Sequence, residues 1–193
     1  LQGANYEIKD IEVKPWKKSP SAPFTTSTLQ QEASRKLGFS VARTMQVAQK
    51  LYEAGHITYM RTDAVNLSDF AIQAAKAQII SEYGENYSKP THYATKAKGA
   101  QEAHECIRPT HMENHIAGAD PSEKKLYQLI WKRTIASQMA PAELEKTKAT
   151  IQISTTDKFH FVANGEVLEF DWFLKVYMES SDNEEDDEET KGM

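Results

Sequence analysis

The chain has 193 residues, 39% of them hydrophobic, a size and composition suited to one domain or to one domain plus part of another. It contains no run of about 18 apolar residues and does not open on the charged-then-apolar pattern of a signal peptide, so we expect a cytoplasmic protein and exclude a membrane-spanning helix. Cys106 is the only cysteine, which excludes an internal disulfide and a zinc site built from several cysteines.

The formal net charge of −5 is unevenly distributed along the chain. Residues 181–193 contain 7 acidic side chains and 1 basic one, whereas residues 1–180 contain 22 basic and 21 acidic side chains. Such a run of like charge predicts a solvated loop or tail, and it does not argue against a nucleic-acid partner for the rest. Because the chain starts at Leu1 without a methionine and stops abruptly after the acidic run, we expect a fragment of something larger.

The first predicted element is a strand over Tyr6–Val13, where apolar and polar residues alternate. A basic connector with several prolines follows it. A helix is predicted over Thr28–Leu37, because Ser27 and Gln30 have the spacing of a capping box and Gly38 suits the position after the last turn.

A second helix is predicted over Val41–Glu53, with Ser40 as its N-cap and Gly55 at its end. The stretch Gly55–Asp63, GHITYMRTD, then reads as an extended strand. Two short helices across a tight turn, followed by a strand, are typical of a helix-turn-helix unit with a wing-like extension.

A third helix is predicted over Asp69–Tyr83, with Asn66 or Ser68 as its N-cap. A fourth is predicted over Pro121–Met139, because Asp120 is a good N-cap and proline is favoured at the first helical position. The long segment between these two helices is too long for a simple connection, and such segments in compact domains are usually functional or disordered.

From Ala149 onward the chain again reads as strands, and the dipeptide Asn164-Gly165 predicts a two-residue hairpin turn. The order of strand, helices and strands predicts an α+β fold in which a mainly helical domain, with its helix-turn-helix-like unit, is inserted into a β domain. The predicted organisation is an N-terminal strand and linker over 1–26, a helical domain over 27–145, returning strands over 146–180 and an acidic loop or tail over 181–193.

Tyr59, Arg61 and Asp63 occupy alternate positions, so in an extended segment they project to the same side. A phenol titrates near ~10 and needs a nearby cation or base to act as a nucleophile at neutral pH. Arg61 supplies a positive charge and a fork of donors that matches a phosphate. The simpler alternative is a strand end with a half-buried tyrosine and a salt bridge between Arg61 and Asp63, and the spacing alone favours it.

The long segment contains a second candidate group in the stretch AKGAQEAHECIRPT. His104 can transfer protons or, when protonated, bind a phosphate; Arg108 is a second candidate phosphate ligand, and Lys96 and Lys98 add positive potential. A helix over Glu102–Ile107 would place His104 and Arg108 on neighbouring turns of one face. A short amphipathic helix with a surface histidine is the alternative, and spacing alone favours it.

A metal site is a further alternative, because His104, Cys106, His111 and His115 lie close together in the sequence. His111 and His115 have the i, i+4 spacing that two zinc ligands on one helix share. The stretch lacks two separated ligand pairs, however, so the spacing argues against structural zinc.

Taken together, PFTTSTLQQEASRKLGFSVARTMQVAQKLYEAGHITYMRTDAVNLSD and QEAHECIRPT resemble the active-site region of type IA DNA topoisomerases, in the bacterial topoisomerase I branch. The resemblance covers Pro23–Thr110 densely and the flanking strands, including FLKVY, more loosely. Met60 favours the topoisomerase I branch, since the topoisomerase III branch more often has proline after the tyrosine. At the position of Cys106 the family usually has alanine.

The resemblance implies that Tyr59 attacks a DNA phosphodiester and holds the 5′ end as a phosphotyrosine while another strand passes through the gap. It implies that Arg61 positions and stabilises the scissile phosphate and that His104 belongs to the same active site; Arg108 is a further predicted nucleic-acid contact. The implied partner is a single-stranded segment of negatively supercoiled bacterial DNA. The helical block would be the tyrosine domain, and the flanking strands would belong to a β arch.

The same resemblance places Mg²⁺, and the acid that assists cleavage, in a separate N-terminal domain of the Toprim type. No metal ligand is therefore predicted in this chain, which alone is expected to bind single-stranded DNA weakly and not to relax DNA. A non-catalytic module that binds single-stranded DNA through the helix-turn-helix surface is the alternative from a different functional class.

Overall fold

A computed structural model describes residues 3–94 and 104–178, apart from the side chain of Asp157. The chain divides into two compact units: a β unit, which comprises residues up to Ser19 and Pro141–Trp172, and a helical unit, which comprises Pro20–Ala140 and the residues from Phe173. Within the described residues there are four α-helices and one sheet of three strands, which confirms the α+β fold class. None of these helices has the length and apolar character needed to cross a membrane.

The β unit is an antiparallel sheet in the order β1-β2-β3, formed by β1 (Tyr6–Lys18), β2 (Ala142–Ile153) and β3 (Thr156–Phe170). The first strand continues five residues beyond the predicted Tyr6–Val13, and the second begins seven residues before Ala149. Alternation therefore located both strands but underestimated their length, because the pairing continues where lysine, proline and glutamate obscure the pattern.

The predicted hairpin turn at Asn164-Gly165 is wrong. Both residues lie inside β3, where Asn164 pairs with Lys148 and Gly165 pairs with Thr147. A type I′ turn needs positive φ at both central residues, and neither residue is among those with positive φ. The turn instead lies at Ser154 and Thr155, because the long run of backbone pairing outweighs a local dipeptide preference.

The helical unit contains α1 (Thr26–Leu37), α2 (Val41–Glu53), α3 (Asp69–Tyr83) and α4 (Pro121–Ser137). Two short 3₁₀ helices lie at Glu85–Tyr87 and Trp172–Lys175. The bounds of the second and third helices are those predicted, and the fourth ends two residues before Met139. The fully buried core side chains come from all four helices and from the segments before and between them: Phe24, Leu29, Leu51, Ile57, Ile79, Ile107, Leu126, Ile130 and Ile135.

The helix ends follow the capping rules, with one correction. Ser40, Ser68 and Asp120 accept hydrogen bonds from the first turns of α2, α3 and α4, as predicted. For α1 the predicted capping box at Ser27 is wrong, since Thr25 is the N-cap and Thr28 closes the box on the Thr25 N–H. A threonine hydroxyl at the third helical position therefore takes the place of the usual glutamate or glutamine.

Candidate nucleophile site

The segment that carries Tyr59 begins at Gly55, whose φ of 75° ends α2 and turns the chain away from it. The predicted strand over Gly55–Asp63 is wrong in one respect. The segment forms no regular strand, and only Ile57 makes an isolated antiparallel bridge, to Pro109. It is extended backbone held mostly by bonds to side chains and to other loops.

The side chains of this segment nevertheless alternate between solvent and core. Tyr59 is 47% exposed, and Arg61 and Asp63 are exposed, whereas Met60 and Ala64 are buried. The alternate spacing of Tyr59, Arg61 and Asp63 therefore does place all three on the solvent side, because Met60 and Ala64, at the intervening and following positions, point into the core.

Two threonines fix the backbone on either side of Tyr59. The Thr58 N–H donates to the Arg108 carbonyl at 2.9 Å, and the Thr58 hydroxyl donates to the Cys106 carbonyl at 2.7 Å and accepts from the Arg108 N–H at 2.9 Å. On the other side, the Thr26 hydroxyl donates to the Met60 carbonyl at 2.8 Å and accepts from the Thr62 N–H at 2.9 Å. The position of the Tyr59 backbone is thus set by bonds to distant parts of the chain.

These bonds also bring the second candidate segment alongside the first. Thr110 donates from its N–H to the His56 carbonyl at 3.0 Å, and Ile57 bridges Pro109. The two stretches that sequence analysis selected separately, one around Tyr59 and one around Arg108, are therefore neighbours. His104 lies four residues before Arg108 and is exposed.

The helix considered over Glu102–Ile107 does not form at the described residues 104–107. The Cys106 N–H donates to the Asn66 carbonyl at 3.0 Å, and the Ile107 N–H donates to the Phe24 carbonyl at 2.8 Å. Because these donors bond to distant segments and not to the preceding turn, no helix forms there. Glu102, like the predicted phosphate-site residues Lys96 and Lys98, lies outside the described residues.

Among the described residues, Tyr59, Arg61 and His104 make no hydrogen bond or ion pair through their side chains. The alternative with an Arg61–Asp63 salt bridge therefore finds no support in this part of the structure. Exposed polar groups that have no partner within the described residues can bind an external ligand.

Arg108 differs from these three residues, because its side chain is only 11% exposed. Its Nη2 and Nε donate to Glu105 Oε2 at 2.7 and 3.2 Å, and its Nη1 donates to the Pro109 carbonyl at 3.0 Å. The other oxygen of Glu105 accepts from the Ser68 N–H at 2.7 Å, at the start of α3. Arg108 thus connects its own segment to the N-terminus of α3.

Burial alone would raise the pKa of Glu105. The hydrogen bonds from Ser68 and Arg108, together with the positive charge of Arg108, outweigh that effect and lower the pKa below its ordinary value. Glu105 is therefore the ionised partner on which both contacts depend.

The residues of the zinc alternative are separated in the structure. Cys106 is fully buried, and burial raises the pKa of its thiol to about 12. His115 stacks on Trp131 with ring centroids 4.3 Å apart, and His111 pairs with Glu113 at 3.3 Å. Across residues 3–94 and 104–178, no group of three histidine, cysteine or acidic side chains is placed to hold a metal ion.

The exposed face of α2 completes the surroundings of the tyrosine. Tyr52 meets the Tyr59 ring edge to face, with centroids 5.2 Å apart and planes at 65°. A depression is lined by Arg61 and by α2 residues Met45, Gln46, Gln49 and Lys50. Neither Thr58 nor Tyr52 is among the site residues predicted from the sequence, although Tyr52 lies seven positions before Tyr59 and shares a stripe of α2 with Val41 and Met45.

A family model described as DNA topoisomerase matches residues 1–192. Similar curated proteins include DNA topoisomerase 1 of Streptomyces coelicolor, 49% identical over 95% of this chain and 20% of its own length, and DNA topoisomerase 1 of Zymomonas mobilis, 47% identical over 99% of this chain and 16% of its own length. Full-length topoisomerase I from Thermotoga maritima superposes with a TM-score of 0.78 at 37% identity, covering 93% of this chain and 31% of that one. The chain spans about a fifth of the length of these curated relatives.

Proposed function

Because the chain belongs to the DNA topoisomerase family, we propose that it supplies the nucleophile of a bacterial type I DNA topoisomerase. Tyr59 attacks the phosphorus of one DNA strand, forming a bond between its hydroxyl oxygen and the 5′ phosphate and releasing the 3′ oxygen as a hydroxyl. The reverse attack reseals the strand after another strand has passed through the gap. The net result is relaxation of negative supercoils.

One observation carries this proposal: Tyr59 is 47% exposed, its hydroxyl makes no hydrogen bond within the described part of the chain, and its backbone is fixed on both sides. A nucleophile must be reachable by its substrate and held in place before the reaction. Thr58 and Thr26 supply the second condition, and the exposure of Tyr59 supplies the first.

Arg61 projects to the same side as Tyr59 and makes no ion pair among the described residues. We assign it to the scissile phosphate, where its fork of donors stabilises the negative charge that grows as the phosphorus becomes pentacoordinate. We assign His104 to the same site, as a proton donor or as a cation near the leaving oxygen.

Arg108 has the weakest support as a DNA contact, because three of its donor groups are used within the protein. Its predicted role at the DNA stands as part of the proposal. The contact with Glu105 supports a second role, in which Arg108 places the segment that carries His104.

The remaining parts of the proposal concern a longer protein that contains this chain. We propose that Mg²⁺ and the acid that assists cleavage lie in a Toprim-type domain of that protein and that the β unit forms part of an arch; the membership of the DNA topoisomerase family supports both. We assign no step to a metal within this chain, since no suitable ligand group lies among its described residues. The 193-residue chain alone then does not relax DNA. The longer protein acts on single-stranded DNA in the bacterial nucleoid.

The first test of the proposal uses the longer protein with a labelled single strand and Mg²⁺. Tyr59→Phe abolishes the denaturant-resistant protein–DNA link, because the only change is the loss of the attacking oxygen. Binding of the strand, measured separately, stays within about twofold, since the removed hydroxyl contributes little to the phosphate contacts that dominate affinity. A covalent link in the Tyr59→Phe protein would refute the assignment, and DNA binding without any link in the unaltered protein would favour the non-catalytic binding module.

Substitutions of Arg61 and His104 lower the cleavage rate to different degrees in the same assay. Arg61→Ala still binds DNA but slows cleavage by about 10²-fold or more, because the lost charge acts mainly in the transition state. His104→Ala shows a smaller loss with an altered pH dependence. Equal losses in binding and cleavage for Arg61→Ala would show that Arg61 serves only the ground-state complex.

A further inference from the structure

The side chain of Tyr59 is less constrained than its backbone. The bonds from Thr58 and Thr26 fix the chain on either side of it, but its hydroxyl has no partner within the described residues. A tyrosine ring turns about two side-chain torsions, and the wrong rotamer would carry the hydroxyl oxygen several ångströms away from a phosphate. Some contact of the ring itself must select the orientation in which the oxygen meets the phosphorus.

Tyr52 makes such a contact. Its ring and that of Tyr59 are 5.2 Å apart at 65°, which is the edge-to-face arrangement that aromatic pairs prefer. Within the described residues this is the one aromatic ring that contacts Tyr59. Tyr52 is itself 41% exposed, so the two rings meet at the surface, where a DNA strand can reach Tyr59.

Tyr52 stands on a rigid base. It lies in the last turn of α2, next to fully buried Leu51, and the Tyr52 carbonyl accepts a hydrogen bond from the Gly55 N–H at 2.9 Å. The six-residue connection between Tyr52 and Tyr59 therefore starts from a closed helix end and ends at a backbone fixed by Thr58. Both rings are attached to parts of the chain that have little freedom.

We propose that Tyr52 is the positioning residue for Tyr59: its ring holds the Tyr59 ring in the orientation from which the hydroxyl oxygen attacks. This inference rests on the proposed function of Tyr59 and adds to it a residue that acts through the nucleophile and not on the DNA. An edge-to-face contact requires the ring of Tyr52 but not its hydroxyl. Phenylalanine should therefore replace Tyr52, whereas leucine, which is apolar and a good helix former, should not.

The contact can be tested without any activity, in the 193-residue chain. NMR spectra with labelled tyrosine rings should show the Tyr59 ring protons shifted by the ring current of Tyr52. Tyr52→Phe retains that shift and Tyr52→Leu removes it. Unchanged Tyr59 resonances in Tyr52→Leu would show that the rings do not meet, and would overturn the proposal whatever happens in catalysis.

The kinetic test uses the longer protein under single-turnover conditions. Tyr52→Leu slows cleavage about 3- to 10-fold, which corresponds to the strength of one aromatic pair, while the Kd for the single strand stays within about twofold. Tyr52→Phe cleaves at the unaltered rate. Phe70→Leu is the matched control, because Phe70 is a 78% exposed aromatic on α3 and lies outside the proposed site.

Two outcomes would overturn the inference while leaving the proposed function intact. A weaker Kd with an unchanged cleavage rate in Tyr52→Leu would make Tyr52 a stacking platform for a DNA base. An unchanged rate and Kd would make it irrelevant. Failure of the proposed function is recognised separately, by a covalent link in Tyr59→Phe.

Discussion

The helical unit and the β unit use the same kinds of apolar residue in opposite ways. In the helical unit Leu29, Leu51 and Ile130 are fully buried, whereas in the β unit every residue of β1 is exposed. Ile11 pairs with Ala149 across the sheet but is 56% exposed, and Tyr6 contacts Phe161 at 5.9 Å with half of its surface in solvent.

The difference shows which unit is held by packing and which by backbone pairing. Burial of apolar surface stabilises the folded state by about 25 cal/mol per Å², and in the helical unit side chains of all four helices are buried. The β unit gains less from burial and depends on the ladders of its two strand pairs. The candidate nucleophile lies in the unit with the dense core, as a site that must keep fixed geometry requires.

A matched pair of isoleucines gives the largest expected contrast. Ile130→Ala opens a cavity in the helical unit and lowers its free energy of unfolding by about 2–5 kcal/mol, whereas Ile11→Ala changes stability by less than about 1 kcal/mol. Chemical denaturation followed by the helical circular dichroism signal measures both. Similar losses for the two variants would contradict the contrast between a packed unit and a paired one.

A matched pair of glycines, Gly118 in the helical unit and Gly165 in the β unit, compares how the two backbones tolerate an added Cβ. Gly118 has a φ of 115°, and a Cβ there would lie 2.5 Å from the Glu123 Cβ, so we expect Gly118→Ala to cost about 1–3 kcal/mol. A Cβ added at Gly165 in β3 would meet no atom within 4 Å, and Gly165→Ala should be neutral or stabilise slightly. Thermal unfolding of the two variants separates these outcomes; a tolerated Gly118→Ala would show that the turn before α4 relaxes easily.

Glu105 in the helical unit and Glu12 in the β unit differ in how much their charge contributes to stability, and this difference depends on pH. The folded pKa of Glu105 is lowered, so its stabilising contacts are complete above its unfolded pKa and are lost as pH falls through the folded value. We expect Glu105→Gln to cost about 1–2 kcal/mol at pH 7, with the deficit disappearing as the pH drops below ~4.

The control for that prediction is Glu12→Gln. The hydrogen bond from Lys14 lowers the pKa of Glu12, but both side chains of this β1 pair are exposed, at 48% and 68%, and solvent screens such pairs. Denaturation midpoints from pH 3 to pH 8 should therefore be the same for Glu12→Gln and the unaltered chain. A deficit in Glu105→Gln that persisted at pH 3 would mean that packing, and not ionisation, makes Glu105 important.

Much of the helical unit could be predicted from the sequence, because capping and helical spacing are local properties. Ser40, Ser68 and Asp120 mark helix starts through bonds only two or three residues long. Alternation likewise placed Tyr59 and Arg61 on the solvent side, since it depends only on which neighbours are apolar. The Asn164-Gly165 prediction failed because a local turn preference competed with pairing to a strand distant in the sequence.

The supports of the candidate site could not be predicted, because they join residues far apart in the chain. The bonds of Thr58 span 48 to 50 residues, and those of Thr26 span 34 to 36. The helix considered around His104 does not form for the same reason, since the N–H groups of Cys106 and Ile107 donate to the distant carbonyls of Asn66 and Phe24. No spacing rule within a window of one or two helical turns can detect such partners.

The hydrogen bonds of Thr58 and Thr26, which fix the backbone on either side of Tyr59, have a mechanical consequence under the proposed mechanism. While a strand is cut, its end is tethered to the protein through the Tyr59 side chain, and any tension in the DNA enters the chain at that residue. Thr58 passes the force to the segment of Cys106 and Arg108, and Thr26 passes it to the start of α1. Because the pull is divided between two anchors on opposite sides of the tether, neither hydrogen-bonded cluster must resist it alone, and the broken strand stays in register for resealing.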